Sequence, residues 1–167
     1  MLLNNLEANY IGRFAHLSKY VGQGACLIDD NHLLRYAQET KTDKGLVDIV
    51  DLKTNIITQK GNNFFWGHGN SITCDGNFLY VVPMSHYEDN HYYLKLIYKI
   101  DIKTLKTIKT YTLPFNVYSC SYDKKTKNFY VVNLGNTHTI YKWNPETNEI
   151  QKLFTLPQPF KINRLQG

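Results

Sequence analysis

Ser71-Ile-Thr-Cys-Asp75-Gly-Asn-Phe-Leu-Tyr-Val-Val82 is the stretch whose reading decides the fold. A short apolar strand runs into an Asp-led turn, and a second strand rich in Leu, Tyr and Val follows. The same form precedes it in Ala25-Cys-Leu-Ile-Asp29-Asp-Asn-His-Leu-Leu-Arg-Tyr36 and follows it in Ser119-Cys-Ser-Tyr-Asp123-Lys-Lys-Thr-Lys-Asn-Phe-Tyr-Val-Val132. Asp, Asn and Gly suit such turns because their side chains cap local backbone groups or tolerate positive φ. From Asp29 to Asp75 is 46 residues and from Asp75 to Asp123 is 48.

A second hairpin follows in each unit: Val47-Asp-Ile-Val-Asp51-Leu-Lys-Thr54, Ile97-Tyr-Lys-Ile-Asp101-Ile-Lys-Thr104 and Ile140-Tyr-Lys-Trp-Asn144-Pro-Glu-Thr147. Polar and apolar residues alternate around an Asp/Asn-x-x-Thr turn, as in an antiparallel hairpin with one packed face. Two hairpins per unit make four strands, the size of one blade of a β-propeller. The fold class is therefore all-β, a β-propeller of about three four-stranded blades in this chain. Composition agrees: aromatic residues make up 14% of the chain, with 13 Tyr among them, and such side chains favour pleated, half-buried surfaces. No long stretch repeats apolar residues at helical spacing.

The expected organisation is an N-terminal segment over 1–21, a strand or short stem, and blades over about 22–60, 67–113 and 115–157. Residues 158–167 resemble the start of a further blade, since Gln166-Gly167 echoes Gln23-Gly24. A propeller ring usually holds at least about four blades, and an open stack leaves sheet edges unpaired. The stack is expected to stay open, or to be completed by a homo-oligomer, by the remainder of a longer chain, or by missing strands supplied from residues 1–20.

Nineteen Lys and Arg against fourteen Asp and Glu leave a net charge of +5. A mildly basic surface favours polyanions in general. The lysines are scattered through turns (Lys53, Lys103, Lys124, Lys125, Lys127) with no dense run, so nucleic acid is not expected as a partner. Residues 1–20 lack the basic-then-apolar pattern of a signal peptide, and no segment has about 18 consecutive apolar residues, so no membrane span is expected. Three cysteines show no CxxC spacing, which indicates neither a disulfide framework nor a zinc site. Cys26, Cys74 and Cys120 all fall in the first strand of their units, where small side chains suit the crowded axis.

Gln23-Gly24 and Gly67-His-Gly-Asn-Ser-Ile-Thr73 carry a family resemblance. The chain resembles, over Gly22 to Gly167, the β-propeller platform of receptor-binding tail proteins in phages of Gram-positive bacteria, staphylococcal ones especially. Members of that family have longer chains, with an N-terminal stem and trimerisation elements that this sequence lacks. The resemblance implies a virion-tail location and a cell-wall glycopolymer as ligand, a glycosylated teichoic acid in the staphylococcal case. Such polymers are anionic, which matches the basic charge.

The segment Phe64-Phe-Trp66-Gly-His68-Gly-Asn70 is the most site-like. Aromatic rings stack on sugars, Asn donates and accepts, and glycines let the backbone approach a ligand. The competing reading is that Trp66 packs between blades while His68 and Asn70 cap backbone groups. The long loop Met84–Tyr93 adds His86 and Tyr87 as contact candidates. Its His86, Glu88, Asp89 and His91 match no established metal spacing, so no metal or other cofactor is expected. Tyr118, Asn136 and His138 recur at corresponding places in the third unit.

No Gly-x-Ser-x-Gly elbow or phosphate loop appears, and no catalytic residue is singled out. Asp29, Asp75 and Asp123 share one hairpin position and are read as turn residues rather than as the paired carboxylates of a glycosidase. The leading functional reading is a carbohydrate-binding propeller for phage adhesion. Its rivals are a small phage-encoded protein of the host cytoplasm that sequesters a host protein or nucleotide, and a polysaccharide lyase or hydrolase.

Overall fold

The computed structural model describes residues 20–39, 44–64, 66–67, 69, 71–83, 95–133 and 139–156. Twelve strands form three four-stranded antiparallel sheets, each a simple meander in chain order, with no α-helix among the described residues. Blade 1 comprises β1 (Tyr20–Leu27), β2 (His32–Glu39), β3 (Gly45–Asp51) and β4 (Ile56–Phe64). Blade 2 comprises β5 (Ser71–Cys74), β6 (Phe78–Val82), β7 (Leu96–Asp101) and β8 (Thr107–Thr112). Blade 3 comprises β9 (Val117–Asp123), β10 (Asn128–Asn133), β11 (Thr139–Asn144) and β12 (Glu149–Thr155). The first sheet starts at Tyr20, inside the expected N-terminal segment, and runs on to Phe64. The rest of that segment and the expected further blade over 158–167 lie outside the described residues.

All six hairpins carry the same local device. In β1–β2, Oδ1 of Asp29 accepts from the backbone N–H of Asn31 and His32 at 2.7 and 2.8 Å. Asp75 does the same for Asn77 and Phe78, and Asp51 for Lys53 and Thr54. Asp101 caps Thr104, Asp123 caps Lys125 and the Thr126 hydroxyl, and Asn144 caps Glu146 and Thr147. Four residues on from the capping residue, Asn55, Leu105, Lys127 and Asn148 all take φ of 55–58°. This left-handed residue returns the chain into the next strand. The carboxylates are thereby spent on turns, which holds Asp29, Asp51, Asp101 and Asp123 below the usual carboxylate range, chiefly through those hydrogen bonds.

The blades stack face to face around their innermost strands. Ser71 Oγ donates to the Cys120 carbonyl at 2.9 Å and accepts from the Cys120 N–H at 3.0 Å. Two residues on, Thr73 Oγ1 accepts from the Tyr122 N–H. Both contacts advance in the same direction, so β5 and β9 run parallel. Gly24 packs on the Gly69 carbonyl and Ile72, and Cys74 Sγ reaches the Ile28 carbonyl, so β1 and β5 are parallel too. A Cβ at Gly24 would lie 2.6 Å from the Gly69 oxygen, which accounts for the glycine.

Apolar burial follows this stacking. One core lies between blades 1 and 2, built on Leu34, Tyr36, Val47, Trp66, Leu79 and Ile100. A second lies between blades 2 and 3, built on Tyr80, Val82, Ile97, Tyr111, Phe129 and Trp143. Blade 2 is covered on both faces, and for that reason β6 reads Phe-Leu-Tyr-Val-Val without alternation, four of its five residues being buried. In the outermost strands only one residue of β8, Tyr111, is buried, and none of β12. On the face of blade 1 turned away from blade 2, Leu46, Asp48 and Val50 are also buried. There Arg35 pairs with Asp48 across β2–β3, while Asp48 Oδ1 has no hydrogen-bond partner among the described residues.

Candidate functional site

Because each blade is a meander and the inner strands are parallel, all six capped turns lie at one end of the blades. The connections from one hairpin or blade to the next leave from the other end. That second end is where the sequence concentrates its candidate ligand residues: the segments after Phe64, Val82 and Asn133 all depart from it, and β9 starts there.

Of the candidates, Trp66 and Tyr118 are described; His68, Asn70, His86, Tyr87, Asn136 and His138 lie outside the described residues. Trp66 is 3% exposed. Its indole sits between Tyr36, at 5.4 Å between ring centroids, and Phe64, at 5.1 Å. Both rings are tilted against the indole, which belongs to the core between blades 1 and 2. Tyr118 sits in a bulge at the start of β9, between Val117 and Ser119, and is partly buried. Burial pushes its phenol up.

Gly67 and Gly69, the described residues on either side of His68 in the sequence, are each held by a neighbour. Gly67 takes φ +63° and Gly69 φ +57°. The Tyr36 hydroxyl donates to the Gly67 carbonyl at 2.8 Å, and the Gly69 N–H donates to the Pro83 carbonyl at 3.3 Å. A Cβ on Gly69 would lie 2.5 Å from the Tyr36 ring, so that glycine is demanded by both φ and space. Tyr36, 1% exposed on β2, is thus the organiser of this segment, and sequence reasoning missed it. The available signal was the glycine pair itself, since two glycines flanking one residue mark a backbone held close to something bulky.

The cysteines are placed as expected, one in each innermost strand, and are free. Burial pushes Cys26 up to about 12, with Cys74 beside it adding to the rise, and burial also raises Cys74 and Cys120. None is a thiolate nucleophile near neutral pH. Among the described residues no group of three His, Cys, Asp or Glu is placed to hold a metal ion, and no helix is long and apolar enough to cross a membrane.

No protein-family profile matches the chain, and no curated relative matches it. Solved structures do. The chain is similar to Kuenenia stuttgartiensis hydrazine synthase at TM-score 0.53 and 17% identity, over 89% of this chain and 39% of that one. It is similar to Myxococcus xanthus glutaminyl cyclase at TM-score 0.52 and 13% identity, over 84% and 53%. The Neurospora crassa Pan2 WD40 domain matches at TM-score 0.50 and 14% identity, over 76% and 38%. The chain therefore spans between about two fifths and half of the length of these structures. Identities this low speak to fold alone. Three meander blades stacked on parallel inner strands, and their likeness to a WD40 domain, identify the chain as part of a β-propeller.

Proposed function

We propose that this propeller is a binding scaffold that retains an anionic cell-wall glycopolymer of the teichoic acid kind, in a phage adhesion role. The observation that carries this reading is that Gly67 and Gly69, the described neighbours of His68 in the sequence, are both held by hydrogen bonds at the loop end of the blades. A ligand role for His68 and Asn70 draws on the support that Tyr36 and Pro83 give to these two glycines. Pre-organised polar groups lose little entropy on binding, which suits a repetitive, weakly gripping polymer. The resemblance of the Gly67–Thr73 segment and the net charge of +5 support the ligand class. The chemistry of the described groups favours retention over turnover: five of the six turn-capping residues are carboxylates committed to capping, and the thiols are held protonated.

Co-sedimentation with purified wall teichoic acid, with and without its sugar substituents, tests the reading. Retention that falls at least about tenfold in His68→Ala/Asn70→Ala, with an unchanged β circular-dichroism signal, is the expected result. Failure of the parent protein to bind either polymer overturns it. Trp66 does not serve as a probe here, because truncating this buried indole removes packing worth about 3–5 kcal/mol.

A further inference from the structure

The two seams between blades share one register but are fastened by different chemistry. Between blades 2 and 3, Ser71 and Thr73 of β5 turn their hydroxyls onto the β9 backbone at Cys120 and Tyr122. Within their own sheet Ser71 pairs with Val82 and Thr73 with Tyr80, and both partners lie in the core against blade 3. In blade 1, Gly24 pairs with Tyr36 and Cys26 with Leu34, and both partners lie in the core against blade 2. Gly24 and Cys26 therefore stand where Ser71 and Thr73 stand. A contact across the seam agrees. A Cβ on Gly24 would meet Ile72 at 3.0 Å, and Ile72, paired with Val81, holds the place of Cys120, paired with Val131.

Two residues further along, Thr73 meets Tyr122, and the same register sets Cys26 against Cys74. Cys74 and Tyr122 are equivalent in their sheets, paired with Leu79 and Phe129. Cys74 is buried in the core between blades 1 and 2, and Cys26 packs against that core. Cys74 Sγ lies 3.9 Å from the carbonyl of Ile28, two residues beyond Cys26. The rise that burial imposes on the Cys26 thiol is reinforced by Cys74, an electrostatic sign of the same proximity. In the second seam, Thr73 Oγ1 at 2.9 Å from the Tyr122 nitrogen keeps those Cα atoms within about 6.8 Å, the outer limit that a disulfide spans. Both cysteines are free. The first seam thus holds a pair of thiols where the second holds a hydroxyl latch.

We propose that Cys26 and Cys74 form a redox latch, closing to a disulfide that fastens blade 1 to blade 2 when a small disulfide such as oxidised glutathione is supplied. The Cys26 sulfur, the more exposed of the two, gives up its proton and attacks one sulfur of the reagent. One reagent thiol leaves, and a mixed disulfide remains on Cys26. Cys74 then loses its proton and attacks the Cys26 sulfur, releasing the second reagent thiol. Two protein S–H bonds and the reagent S–S bond break, while two reagent S–H bonds and the Cys26–Cys74 bond form. The protein loses two electrons and the reagent gains them. Cys120 takes no part, because the group facing it across its seam is the Ser71 hydroxyl. The closed latch holds β1 on β5, and with it Tyr36 against Gly67 and Gly69. Attack requires a thiolate, so closure depends on pH. The charges acting on the pair are Lys124, which favours the thiolate at both, and Asp75 and Asp29, which oppose it at Cys74.

The test incubates the folded full chain with oxidised glutathione, alkylates it under denaturing conditions and maps its peptides by mass spectrometry. The expected product is lighter by two hydrogens, with a Cys26–Cys74 linked peptide and Cys120 alone alkylated. The bond spans 48 residues of sequence, and closure should raise Tm by about 5–10 °C, a gain that a reducing agent reverses. The rate of closure should rise about tenfold per pH unit between about pH 7 and 9. Cys120→Ser should close as the parent does, whereas Cys26→Ser and Cys74→Ser should show no rise in Tm with the same reagent. Three alkylatable thiols after prolonged incubation at about pH 9 would overturn the proposal. So would a stable glutathione adduct on Cys26, a bond that takes in Cys120, or a bond between two chains.

Discussion

Removing the Ser71 hydroxyl tests the stacking of blades on which the rest depends. In Ser71→Ala, the Cys120 N–H and C=O lose the one group that satisfies both, at 3.0 and 2.9 Å. Cys120 is 3% exposed, so water has poor access to replace it. A buried donor or acceptor left without a partner costs about 1–3 kcal/mol. Some relief comes from the freed serine rotamer and from partial hydration at the edge of the strand, since Ser71 itself is half-buried. The expected loss is about 2 kcal/mol, which for a domain of this length lowers Tm by about 4–8 °C. The urea midpoint should fall by about 1 M if the slope is about 2 kcal/mol per M. Far- and near-ultraviolet circular dichroism followed through the same urea series would show whether one transition describes both. Ser119→Ala is the internal control. It removes the register-equivalent hydroxyl, which has no partner among the described residues, and should leave the protein within about 0.5 kcal/mol of the parent. If Ser71→Ala and Ser119→Ala unfold together, to within about 1 °C, the latch is not a seam between blades and the reasoning fails.

Further expectations concern the turns. Hydrogen bonds hold the carboxyl groups of Asp51, Asp101 and Asp123 below their unfolded range, so each contributes stability above the ordinary carboxylate pKa of about 4. That contribution is lost as the pH falls through the lower folded values, and acid should therefore destabilise the protein. Asn144 caps its turn without titrating, so Asp51→Asn/Asp101→Asn should keep neutral-pH stability while flattening the acid limb of a Tm-against-pH profile; an unchanged limb would refute the account. Lys127 is exposed and holds φ at 55°, a conformation that costs a residue with a side chain about 1 kcal/mol over glycine. Lys127→Gly should raise the urea midpoint modestly, and a fall would show that the left-handed turn is not strained.

Much of this molecule was legible because its signals are local. An Asx side chain followed by one or two backbone donors is a property of three or four consecutive residues, so Asp29, Asp75, Asp123, Asp51, Asp101 and Asn144 could be read as turns directly. The alternation of strands around them then specified meander blades. The inner-strand cysteines followed from repeat position. Trp66 was another matter. An aromatic residue beside glycines and histidine reads equally well as a sugar platform or as packing, and its burial against Tyr36, from a strand thirty residues earlier in the chain, could not be read from its own neighbourhood. Tyr36 itself carries no sign, in its own neighbourhood, that it supports Gly67 and Gly69.

By itself, the order of amino acids determined the repeat, the four-stranded unit and the six capped turns, because hydrogen bonds between near neighbours and the two-residue period of a strand need no tertiary partner to be recognised. Only the tertiary structure decided that the capped turns share one end of the blades and that Ser71 and Thr73 latch blade 3. Those facts depend on which face of each sheet meets its neighbour, and facing is set by packing between residues about fifty positions apart.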